Sequence, residues 1–343
     1  MRAKQPLHHR ALRWIATTCT AIACAACIGD PLPPPKPPTV VAGRAYIPHD
    51  GTVAVADTRS GALVRNVPLK GYSGSSPAAF DGTLYTGGAE LAAVDVATGK
   101  VGWTIQKPGR SFHRVAVDAE HVFFESVSDD DSRLGAVDRA TGRELWTVAT
   151  STLANIVPAG DTVITTNQNH FTPRITARDA RSGAMRWEVK DVPFFEPVVS
   201  GKRVIFIIDG IPRAARELDL DTGRTTWRDS VGDAGPFAIA DGALYIQHGT
   251  QIRALDLATK QPRWSGTCHG VIGAGSGFVI CAGDKVTAHR ADNGAIAWQT
   301  ELAQGPLSEP VIADGIVSIR TRKLSGATFA LDLGSGKLLW RSP

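Results

Sequence analysis

The sequence predicts an all-β fold, an eight-bladed β-propeller of four-stranded antiparallel blades, on three observations. A thirteen-residue phrase, "LAAVDVATGKVGW" at 91–103, returns as "LGAVDRATGRELW" at 134–146. Weaker copies follow at intervals of 34 to 43 residues, a period at which self-similarity signals a solenoid or propeller. Upstream of each copy, two short runs of alternating apolar residues flank a tight-turn dipeptide, the short-range signature of a β-hairpin.

In chain order, an export segment comes first. Residues 1–26 carry Arg2, Lys4, Arg10 and Arg13 without an acid, then an apolar run from Trp14 to Ala26. A basic start, an apolar middle and small residues at the end make a secretory signal peptide. The apolar run falls short of the roughly 20 residues a membrane-spanning helix needs. "CAAC", ending at Cys27, resembles a bacterial lipobox with Cys24 where leucine is usual, so Cys27 is the candidate lipid attachment site and Cys24 the alternative. Ordinary cleavage near Ala23 or Ala25, releasing a soluble periplasmic or secreted protein, is the competing reading. Residues 27–37 form a Pro-rich tether, extending about 3 Å per residue, and the propeller occupies 38–343.

Removing the signal settles the charge. The chain has 37 Lys and Arg against 33 Asp and Glu, and the four cations of the signal account for the whole excess. The remaining body is formally neutral and carries no electrostatic footprint for nucleic acid. Of five cysteines, Cys19, Cys24 and Cys27 belong to the export region. Cys268 and Cys281, thirteen residues apart, are a candidate disulfide in an oxidising compartment, with two small buried thiols as the alternative.

Aligned on the Asp of the repeated phrase, eight copies anchor at Asp57, Asp95, Asp138, Asp179, Asp219, Asp256, Arg290 and Asp332. Eight residues later stand Trp103, Trp146, Trp187, Trp227, Trp264, Trp298 and Trp340, with Arg65 in the first copy. Four residues after the anchor stand Gly61, Gly99, Gly142, Gly183, Gly223, Gly294 and Gly336, with Lys260 the exception. Asp81-Gly82, Asp241-Gly242 and Asp314-Gly315 mark the upstream hairpins, and Ala42-Gly43, Ser200-Gly201 and Ser276-Gly277 take the same place in other copies. Each repeat therefore reads strand, tight turn, strand, loop, strand, Asp-turn, strand with Trp.

That placement gives each letter a structural task. The glycine supplies the positive φ that closes the hairpin between strands three and four, while the Asp carboxylate and the Thr or Ser hydroxyl satisfy free backbone N–H groups. A small residue two before the Asp leaves room for an indole. One tryptophan per copy, burying on the order of 200 Å², joins neighbouring blades.

The pattern A-x-D-x-x-T-G-x-x-x-W, complete at 93–103 and 136–146, resembles the repeat of quinoprotein-type (PQQ-like) eight-bladed β-propellers. The resemblance covers roughly 38–342. Its enzymatic branch would imply a bound pyrroloquinoline quinone, calcium, a catalytic Asp and often a disulfide between adjacent cysteines. This sequence has no Cys-Cys pair and no insertion large enough for a lid, which disfavours a dehydrogenase. The non-enzymatic branch includes an outer-membrane β-barrel assembly lipoprotein, whose plan of lipid cysteine, spacer and compact ring matches this chain. The resemblance thus implies a monomeric, lipid-anchored scaffold for a protein partner at the cell envelope, without enzymatic activity or cofactor. An outer-membrane location follows, facing the periplasm or cell surface. A propeller binding carbohydrate or another extracellular ligand is the alternative.

Other candidate chemistry is sparse. Nine scattered histidines show no zinc spacing, "GAGSG" at 273–277 reads as a hairpin, and "SDDDS" at 128–132 lacks EF-hand spacing. Catalytic and metal-ligating sets are therefore not expected. In the interblade segment 190–197, the adjacent Phe194 and Phe195 would point opposite ways in a strand, exposing one ring, and are the candidate partner surface, since exposed aromatic anchors typify binding sites; both rings tucked between blades is the alternative.

Overall fold

The computed structural model describes residues 39–49, 51–68, 77–167, 173–191, 193, 195–208, 212–302, 307–321 and 326–342. The signal peptide, the tether and the lipidation candidates Cys27 and Cys24 lie outside the described residues, as does Phe194.

Among the described residues, thirty-two strands form eight four-stranded antiparallel sheets, each built from consecutive strands. The blades span 39–68, 78–105, 111–150, 153–189, 198–232, 234–267, 271–301 and 311–341. First strands of successive blades touch all round the ring, and that of blade 8 returns to that of blade 1. They therefore line the central channel, and each fourth strand is outermost. Between blades lie apolar clusters such as Ile164, Ile175, Trp187, Val204, Phe206 and Leu218, drawn from blades 4 and 5.

Blades 1, 2, 6, 7 and 8 open with two-residue hairpins in which both central residues have positive φ, as at Asp81 (46°) and Gly82 (71°). This is the primed turn whose twist matches the flanking strands. Blade 5 differs from the sequence alignment. Ser200 pairs with Arg203, so the turn is Gly201-Lys202 rather than Ser200-Gly201, with positive φ on the glycine alone. A glycine in the first central position suits the other primed turn type, and so shifts the dipeptide by one.

The ring closes without strand exchange. Trp340 Nε1 donates to the Thr58 carbonyl at 2.7 Å, and Gly43 N–H donates to Asp314 Oδ2 at 2.6 Å, joining blade 8 to blade 1.

Candidate functional site

The repeated phrase folds as one unit in each blade. In blade 2, Gly99 N–H donates to the Asp95 carbonyl at 2.8 Å, and Asp95 Oδ1 accepts from the Thr98 N–H at 2.7 Å and its hydroxyl at 2.5 Å. Asp138 with Thr141, Asp219 with Thr222 and Asp332 with Ser335 repeat the arrangement. Donated hydrogen bonds favour the ionised carboxylate, so these carboxyl groups titrate below the usual range. Asp179, held by Arg186 and then by Ser182, is lowered to about 2.

The tryptophans reach across to the next blade. The indole N–H of Trp103 donates to the Arg139 carbonyl at 3.0 Å, that of Trp146 to Ala180 at 2.9 Å, and that of Trp187 to Leu220 at 2.8 Å. Trp264 and Trp298 do the same to Ala291 and Leu333. In each case the acceptor immediately follows the anchor of the neighbouring blade. The indole lies on that blade's turn glycine: a Cβ on Gly142, Gly183, Gly223 or Gly336 would approach Trp103, Trp146, Trp187 or Trp298 within 2.4 to 2.7 Å. Glycine is thus required twice, for its φ and for the ring above it. The small residue two before the Asp leaves room for the indole of its own blade, since Ala93 pairs directly with Trp103 and Ala136 with Trp146.

Of the three exceptions to the pattern, Arg65 and Lys260 replace the joint rather than omit it. Arg65 lies against Gly99 and donates to the Ala97 carbonyl at 3.1 Å. Lys260, at φ 62°, sits over Trp227 and ion-pairs with the buried Glu217. Arg216, on the same strand as Glu217, ion-pairs with Asp191. Cys268, just after the last strand of blade 6, is disulfide-bonded to Cys281 in the second strand of blade 7, and both are buried.

Phe195 is half-buried. It packs edge-on against Phe237, with ring centroids 6.5 Å apart, and rests on an apolar cluster from blades 5 and 6. Its remaining surface faces a cleft of about 380 Å³, walled by first-strand and linker residues including Val157, Pro197 and Val198, with Glu196 and Glu309 also lining it. Contributions from blades 4, 5, 6 and 8 put this cleft in the central channel. Apolar surface beside carboxylates suits a protein segment that is apolar with a basic group. Among the described residues no group of three or more His, Cys, Asp or Glu could hold a metal ion. Asp131 of "SDDDS" is instead tied to Arg110, Arg133 and Ser128, which lower its carboxyl to about 2.

The family described as outer membrane protein assembly factor BamB matches residues 49–266 and 212–343. The serine/threonine-protein kinase AfsK of Streptomyces griseus is 33% identical over 124 residues, covering 32% of this chain and 15% of the kinase. Outer membrane protein assembly factor BamB of Yersinia pestis is 29% identical over 127 residues, covering 36% of this chain and 26% of that protein. The matches thus span a minor part of each relative's own length. The crystal structure of BamB from Moraxella catarrhalis superposes with a TM-score of 0.63 at 14% identity, covering 87% of this chain and 97% of that one, a likeness of fold.

Proposed function

This chain belongs to the family described as outer membrane protein assembly factor BamB, and from that membership we propose that it is an exported scaffold for outer-membrane β-barrel assembly. Lipid on Cys27 holds it at the envelope, and it binds a protein partner as a monomer. Support comes from how the repeat is used: the repeated Asp, Gly and Trp residues are taken up in turns and blade joints. Surfaces are what remain to act, foremost the channel cleft at Phe195 with the adjoining linker that carries Phe194.

The sequence has no adjacent cysteines of the kind that cover the quinone in the enzymatic branch, which speaks against a dehydrogenase.

Cell fractionation and crosslinking test the proposal. Cys27→Ala should move the protein from membrane to soluble fractions, and a photoreactive residue in place of Glu196 should crosslink to a component of the β-barrel assembly machinery. Membrane retention of the variant sinks the anchor. A crosslinked profile without any such component sinks the role.

A further inference from the structure

A repeat protein carries its own controls, because the other blades show what a position does when its task is only packing. Immediately before the anchor stand Ala56, Val94 and Val137 in blades 1 to 3 and Leu218, Leu255 and Leu331 in blades 5, 6 and 8, none more than 5% exposed. Blade 7 has His289, whose Nδ1 donates to the Gly294 carbonyl at 2.9 Å. Blade 4 has Arg178, whose Nη1 donates to the equivalent Gly183 carbonyl at 3.0 Å and which makes no ion pair among the described residues. Beside it, Thr165 occupies a second-strand position held by Phe124 in blade 3, Phe206 in blade 5 and Ile246 in blade 6. Blade 2 also has a threonine, Thr86, at that second-strand position, but among these blades blade 4 combines it with a cation before the anchor.

The result is a cleft of about 330 Å³ between the end of blade 3's outermost strand and the face of blade 4. Arg174, Arg178, Glu188, Thr165, Thr176 and Ser151 are among its walls. Its size lies at the lower end of ligand pockets, which run from roughly 300 to 1,000 Å³. Arg174 and Glu188 pair at 2.8 Å, and the Thr165 and Thr176 hydroxyls meet at 2.6 Å. Two guanidinium groups against one carboxylate leave the cleft positive. Burial pulls the Arg178 guanidinium below its usual pKa, with Glu188 acting in the other direction. A bound anion would recover part of that desolvation cost.

We propose that this cleft binds an acidic saccharide unit, its carboxylate taken by Arg178 and Arg174 and its hydroxyl groups by Glu188, Thr165, Thr176 and Ser151. Glu188 repels any anion bound here, and an anion that brings no hydrogen-bond donor has nothing to offset that repulsion. A sugar hydroxyl can donate to that same carboxylate while accepting from threonine. The site is independent of the barrel-assembly role, since it lies outside the central channel.

Titration calorimetry of the exported chain with D-glucuronate, D-glucose, acetate and inorganic phosphate tests this. Glucuronate should bind at least about tenfold tighter than the other three, and Arg178→Leu, which copies blades 5, 6 and 8, should lose at least about tenfold in glucuronate affinity. That variant should melt no lower than the wild type. Arg178→Gln serves as a second probe with the same expected loss if the leucine variant does not fold. Absence of glucuronate binding, equal binding by the variants, or acetate or phosphate binding as tight as glucuronate overturns the proposal.

Discussion

The Lys260 ammonium lies 5.1 Å from the centroid of the Trp227 ring and donates to the Leu257 carbonyl at 2.6 Å. At six other joints an indole N–H takes the corresponding carbonyl. Between blades 5 and 6 the lysine supplies the polar half of the joint while the tryptophan keeps the apolar half. The same ammonium neutralises Glu217, which is only 5% exposed.

Lys260→Met should therefore destabilise the protein by about 3 kcal/mol, because it strands a buried carboxylate. Glu217 would keep the Thr226 hydroxyl at 2.7 Å and Arg203 at 3.6 Å, too little to replace a contacting ammonium. Adding Glu217→Gln should recover most of the loss. A double-mutant cycle by urea denaturation measures this coupling. A coupling energy below about 1 kcal/mol would show that the pair does not stabilise the joint.

Much of this architecture was legible in the sequence because each blade repeats the same local solution. Asp95, Thr98 and Gly99 interact within a single turn, so their spacing in sequence is their spacing in space. The contact of Trp103 with Gly142 was not legible, since it joins residues of different blades and leaves no local pattern. Lys260 and Arg65 looked like lapses in the motif for the same reason. Arg178 escaped notice because the motif letters are Asp, Thr, Gly and Trp. Its departure shows only when the position before the anchor is compared blade by blade and its buried counterparts are seen.

Trp187 and Gly223 should behave as one unit. Trp187 is 8% exposed, and a Cβ on Gly223 would come within 2.6 Å of its ring. Trp187→Ala should cost about 3 to 5 kcal/mol as a buried aromatic truncation. Gly223→Ala should cost about 2 to 3 kcal/mol through overpacking and its φ of 69°. In the Trp187→Ala background the glycine change should retain only the backbone part of that cost. Additive losses in chemical denaturation would mean that the ring and the turn do not press on one another.

The disulfide between Cys268 and Cys281 ties blade 6 to blade 7, across a sequence separation of 13. In the chain-entropy account a loop of that size contributes about 3 kcal/mol. Replacing both cysteines with alanine should lower stability by about that amount. Cys268 and Cys281 in the exported protein should resist alkylation in denaturant until reductant is added. Labelling of both before reduction would show two thiols in place of a bridge.

Phe195 links the channel cleft to the core, so its truncation has two consequences. Half-buried against Phe237, it should cost about 2 kcal/mol on mutation to alanine, less than a fully buried ring. Loss of partner crosslinking in Phe195→Ala alone could then reflect either a missing contact or a loosened blade. Glu196→Lys and Glu309→Lys separate the two, since both residues are exposed and line the same cleft. Each should change stability by about 1 kcal/mol or less. If a basic partner segment enters the channel, each reversal should weaken capture and make what remains less sensitive to salt, as expected when an attractive charge pair is replaced by a repulsive one. Unchanged crosslinking in both reversals and in Phe195→Ala would remove the channel as the partner face and direct attention to the interblade segments.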